Sequence, residues 1–169
     1  NTFPTAFPIL NINLEMSRDE AVSKATDLSR QYKLGPEDSD QVATFGVDQE
    51  AQNFIELDQG GVDKFIEVLE NKYYEAYSWK VRLYKPGDVN EAWFTFTPSG
   101  EIYGFSEKLS DDLYIESLSE ISAFNTAESI AQSEWNVDFT FYELVEQSQN
   151  IKPSNRIDHT LVYKRTDIN

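Results

Sequence analysis

Cysteine is absent from the chain and histidine occurs once, at position 159, so the side chains from which most hydrolytic and metal sites are built are nearly missing. Without a thiol there is no thiolate nucleophile, no disulfide and no cysteine-held zinc or iron–sulfur cluster. His159 stands in the alternating run Ile157-Asp158-His159-Thr160-Leu161-Val162-Tyr163, sharing a strand face with Ile157, Leu161 and Tyr163. General base catalysis needs an oriented partner and a nucleophile, and no pattern around His159 announces either, so an ordinary strand histidine is expected. Carboxylates are abundant, 30 Asp and Glu in all. Asp38, Asp40, Asp111 and Asp112 are oxygen ligands of the kind calcium takes, but the ordered spacing and internal glycine of an EF-hand loop are missing. Glu15, Asp19 and Glu20 would work as acid and base on a sugar only if two of them met within roughly 10 Å across a cleft. Helix capping and first-turn charge account for Asp19 and Glu20 directly. Gly60-Gly61 has neither a P-loop lysine nor a Gly-x-Gly-x-x-Gly context, and reads as a helix break. The expectation is no catalytic, cofactor-binding or metal-ligating residue.

Tyr73, Tyr74, Tyr77 and Trp79 form the densest aromatic cluster. Alternation places Tyr77 and Trp79 in a core, and leaves Tyr73 and Tyr74 as candidates for an interface. Charge restricts the partners further. With 14 Lys and Arg the formal net charge is -16, which repels nucleic acid and anionic lipid headgroups. The acid is concentrated: Glu101 to Glu146 holds eleven carboxylates and one base, Lys108, while Lys152, Arg156, Lys164 and Arg165 gather near the C-terminus. No stretch approaches the ~18 apolar residues of a spanning helix.

The elements that must position these residues follow from periodicity. Leu10, Ile12 and Leu14 alternate with Asn11 and Asn13 over Phe7 to Glu15, a strand pattern. Ser17 and Glu20 form a capping box ahead of Ala21, Ala25, Leu28 and Tyr32 at helical spacing, Met16 stands at the staple position, and Gly35-Pro36 closes the helix. Val42 to Val47 reads as a short strand. Asp48 caps a helical insertion, about 48–72, that is interrupted at Gly60-Gly61. Tyr77 to Leu83, Ala92 to Thr97 and Glu101 to Leu109 read as antiparallel strands joined by Pro86-Gly87-Asp88 and Pro98-Ser99-Gly100. Asn125 with Glu128 resembles a second capping box, followed by strands at Val137 to Leu144 and Ile157 to Tyr163 with Gln147 to Asn155 as a polar turn region. The result is an α+β fold, helices on antiparallel sheets, in two units at 1–110 and 111–169 that repeat a helix-then-strands order. The second unit is one strand short.

Three segments carry a resemblance. Ala6-Phe7-Pro8-Ile9-Leu10-Asn11-Ile12, Ala43-Thr44-Phe45-Gly46-Val47-Asp48 and the run from Trp93 through Phe105 resemble the long N-terminal region of some bacterial intramembrane proteases of the CAAX- and bacteriocin-processing type, the CPBP family. The helix followed by three antiparallel strands also resembles the PepSY-type module, an extracytoplasmic domain attached to proteases and membrane proteins. The resemblance implies the extracytoplasmic side of a bacterial membrane, a membrane-anchored parent, and a peptide or membrane-protein partner within that parent. Proteolysis is not carried over, because the family's Glu-Glu-x-x-x-Arg motif and its separate histidines have no counterpart here. The expectation is a non-catalytic binding or regulatory domain, with a structural spacer or assembly domain as the alternative. An exposed apolar surface or unpaired sheet edge would favour the first, and a uniformly polar surface the second.

Overall fold

The computed structural model describes residues 14–58, 60–70 and 74–167, and the fold is α+β with two antiparallel sheets. The strand expected over Phe7 to Glu15 lies almost wholly outside the described residues. The chain divides into two compact units at Leu109/Ser110.

In the first unit, helix α1 (Arg18–Tyr32) begins with the full capping box: the Ser17 hydroxyl accepts from the Glu20 N–H while the Glu20 carboxylate accepts from the Ser17 N–H. It ends earlier than Gly35-Pro36, because Lys33 takes the left-handed conformation (φ 56°) and donates its N–H back to the Ser29 carbonyl. β1 (Asp40–Val47) leads into α2 (Gln49–Asp58) and α3 (Gly61–Glu70). The break between these helices lies at Gly60 and Gly61, both at positive φ (131° and 83°), a geometry that side-chain-bearing residues resist. Strands β2 (Tyr77–Tyr84), β3 (Glu91–Phe96) and β4 (Ile102–Lys108) complete a sheet in the order β1-β2-β3-β4, antiparallel throughout. One face of this sheet is the core. Ala21 and Ala25 of α1 are fully buried against Trp79, Val81, Leu83, Ala92, Phe94 and Phe96. The small alanines let the helix axis approach the sheet, and the large strand side chains fill the space between. A second cluster, Phe65, Ala76 and Tyr77, seats α3 at the end of the same sheet, with Phe45 packed against both clusters.

In the second unit, helix α4 spans Glu120–Trp135 and precedes a short 3-10 turn (Phe139–Phe141), β5 (Tyr142–Ile151) and β6 (Ile157–Arg165), which pair as a two-stranded antiparallel sheet. Three sequence expectations are corrected here. The helix is capped by Ser119, whose hydroxyl accepts from the Ser122 N–H, and Asn125 lies inside it. Once nucleated at Ser119, extension through one mediocre helix former costs little. The strand expected from Val137 begins only at Tyr142, because Asp138 caps the 3-10 turn by accepting from the Thr140 N–H. Gln147 to Ile151 is strand, not turn, with Ser148 facing Thr160 and Gln149 facing His159. Cross-strand pairing overrides the poor intrinsic preference of that polar run. The turn is confined to Lys152–Arg156, with Asn155 at φ 63° and its N–H donated to the Lys152 carbonyl.

Candidate functional site

Of the first-unit carboxylates weighed for chemistry, Asp19 stands in the first turn of α1 and Asp40 opens β1. Glu20 is committed to the capping box, and the Ser17 backbone N–H followed by its hydroxyl hold the carboxyl below its usual range. Asp38 turns the chain before β1 at φ 52°. Asp48 accepts the Glu50 and Ala51 N–H groups on Oδ1, each at 3.1 Å, and the Tyr74 hydroxyl on Oδ2 at 2.6 Å. The Tyr74 bond first, then the Ala51 N–H, hold Asp48 below the ordinary carboxylate range. Burial first, and the same carboxylate second, push the Tyr74 phenol upward. Tyr74 thus serves as the clasp between the start of α2 and the start of β2, edge-on to Tyr103 with ring centroids 6.4 Å apart. Tyr77 and Trp79 are buried as expected, and the Trp79 indole N–H donates to the Met16 carbonyl at 3.0 Å. Tyr73 lies outside the described residues.

The sheet face opposite α1 carries a polar array that the alternation pattern alone did not single out. Arg82 forks onto Glu91 with bonds of 2.7 and 2.6 Å and lies over the rings of Tyr84 and Trp93. The register pairs Arg82 with Trp93 and Tyr84 with Glu91, so the signal was legible once the Pro86-Gly87-Asp88 hairpin was aligned. Every charge in it is matched within the sheet. A cleft of about 830 Å³ at the end of α1, lined by Thr26, Arg30, Lys33, Gly35, Asp38 and Gln41 among others, is open and mainly polar. It lacks the enclosed apolar floor with convergent polar groups that holds small ligands.

The second unit is different in kind. His159 is half-buried and its Nε2 donates to the Leu118 carbonyl at 3.1 Å. Asp111 contacts Lys152 at 3.1 Å and Arg156 at 3.9 Å. Arg156, 7% exposed, also forks onto Asp158 and donates to the Ser110 carbonyl at 2.8 Å. The Arg156 bond first lowers the Asp158 carboxyl. Tyr163 donates to Glu128 of α4 at 2.8 Å, and burial, then that bond, pushes its hydroxyl up to about 12. Among the described residues of the unit no apolar side chain is fully buried, and these polar clasps act beside half-buried ones, Phe124, Trp135, Ile157, Leu161 and Phe139, whose ring meets those of Tyr142 and Tyr163. Leu113, Tyr114, Ile115, Leu118, Ile121, Ile130, Val145 and Ile151 are instead exposed. The loop that carries the first four is fixed to the hairpin by its backbone and serines. Ser154 donates to the Leu113 carbonyl, the Ile157 N–H donates to the Ser117 hydroxyl at 2.9 Å, and His159 holds Leu118.

Among the described residues no three His, Asp or Glu side chains come together as a metal site, and no helix is long and apolar enough to cross a membrane. Comparison with protein-family models, curated proteins and solved structures returned no match.

Proposed function

We propose that this chain is a non-catalytic binding or regulatory module, carried on the extracytoplasmic side by a membrane-associated protein, and that its second unit is the part that receives a polypeptide partner. The observation that carries this reading is the run of large apolar side chains that residues 110–167 leave exposed, Leu113, Tyr114, Ile115, Leu118 and Ile121, in a unit where no described apolar side chain is fully buried. Exposed apolar surface of this density is costly in water unless something covers it. The two-stranded sheet also offers unpaired strand edges, the usual acceptor for an added peptide strand. A spacer would be served by a sealed polar surface. The membrane-protease parent rests on the resemblance of the Ala43–Asp48 and Trp93–Phe105 segments. The test is a selection of random displayed peptides on the intact chain, with binders mapped by amide chemical shifts. Binders that perturb residues 110–167 support the module. Absence of any binder, or peptide hydrolysis by repurified protein that vanishes in His159→Ala, overturns it.

A further inference from the structure

The strip from Asp112 to Ile121 interleaves two kinds of side chain. Leu113, Ile115 and Leu118 are exposed, and Tyr114 and Ile121 are 72% and 74% exposed. Between and beside them stand Asp112, Glu116 and Glu120, none of which has an ion-pair partner among the described residues. The neighbouring acid Asp111 is already neutralised by Lys152 and Arg156. The strip is fastened to the hairpin through the Leu113 and Leu118 carbonyls and the Ser117 hydroxyl, so the display is held in place and a partner need not freeze a free loop on binding.

From this arrangement we infer that the strip docks a cationic apolar polypeptide segment, one in which Lys or Arg alternates with large apolar residues. The inference rests on the binding-module reading and names the partner's chemistry. Charge decides among the occupants. A second copy would bring one chain of net charge -16 against another, and its own strip would set carboxylate against carboxylate. An uncharged apolar segment would cover the leucine and isoleucine side chains but would leave three carboxylates beside a newly dry surface, where desolvation without a counter-charge is penalised. A cationic segment covers the apolar groups and matches Asp112, Glu116 and Glu120 at the rim, which also speeds its approach through the protein's field.

The experiment uses the intact chain and three labelled peptides of one length, alternating leucine with lysine, with serine or with glutamate. The lysine peptide should bind saturably, shift amides of residues 111–121, and exceed the other two by about tenfold or more. The triple change Asp112→Asn, Glu116→Gln, Glu120→Gln should weaken it about tenfold, the product of three modest rim pairs. The control triple Glu37→Gln, Asp40→Asn, Glu50→Gln, equal in charge but in the first unit, should change it less than about twofold. Tyr114→Ser with Ile121→Ser, which leaves every charge in place, should also abolish saturable binding, with circular dichroism verifying that each variant folds. Equal losses from both triples would mean that only the overall field attracts the peptide, and would overturn the inference. So would equal affinity for the serine peptide. Random displayed peptides that map to the strip but are neutral or acidic would overturn the charge assignment and leave the binding module standing.

Discussion

Asp48 concentrates more local work than any other carboxylate of the first unit, since one side chain caps α2 and anchors Tyr74. Replacing it with alanine removes the cap and strands a phenol, and should cost about 1–2 kcal/mol in a denaturant melt. Asp48→Asn keeps an oxygen for the helix N–H groups and should cost less than half as much. The sign of the pH effect follows from the direction of its shift. A carboxyl depressed in the folded state contributes stability above its unfolded value, near 3.8, and that contribution is lost as pH falls through the folded value. Glu20, Glu91, Asp138, Asp158 and Asp167 are depressed as well, so acid destabilisation should set in below about pH 4. Tyr74→Phe deletes the leading cause at Asp48. A carbon-detected titration should then find the Asp48 carboxyl moved up toward its ordinary value, and an unmoved titration would mean that the clasp is not formed in solution.

Helix α4 separates two readings of one sequence. Ser119-Glu120-Ile121-Ser122 and Asn125-Thr126-Ala127-Glu128 each carry a cap residue, and the latter matches the capping-box pattern more fully because glutamate occupies its fourth position. The structure uses the former. Ser119→Ala should therefore destabilise the second unit by about 1 kcal/mol, whereas Asn125→Ala, at a helix interior, should be neutral or slightly stabilising. The opposite ranking would restore Asn125 as the cap. The contrast with α1 explains what was legible. There the capping box, the Ala21–Ala25 stripe and a real core agree, and the start of the helix could be read to the residue. In α4 no side chain is fully buried, and its half-buried apolar stripe of Ala123, Phe124, Ala131 and Trp135 begins a turn after Ser119, so it leaves the start of the helix undetermined. The same weakness hid the outer half of β5, where Glu146 to Asn150 offers no alternation and pairing with β6 alone keeps the strand extended. The aromatic cluster was legible for Tyr77 and Trp79 because alternation marks a buried face. The docking strip was not, because exposure of Leu113 to Ile121 depends on which neighbours the fold supplies.

At the scale of the whole chain, the two units differ in what holds them. The first encloses Phe65, Phe94, Phe96, Leu83 and Val81 almost completely, and burial of side chains this size supplies about 1.5–3 kcal/mol each. The second has only half-buried apolar side chains, such as Phe124, Phe139 and Leu161, beside hydrogen bonds and ion pairs around Arg156 and Tyr163, each of modest net worth when solvent reaches it. A two-stranded sheet with one helix is marginal without a shared apolar core. Native-state hydrogen exchange should find amides of β5 and β6 opening at a free energy at least ~2 kcal/mol below those of β2 and β3. A partner that covers the strip should close that gap. At about 100 times its dissociation constant, a ligand that binds only the closed form adds ~2.7 kcal/mol, so protection in β5, β6 and α4 should rise roughly 100-fold while β2 and β3 stay unchanged. If residues 110–167 are already as protected as the first unit with no peptide present, the second unit is sealed by itself, and its outward apolar side chains lose their significance as a docking surface.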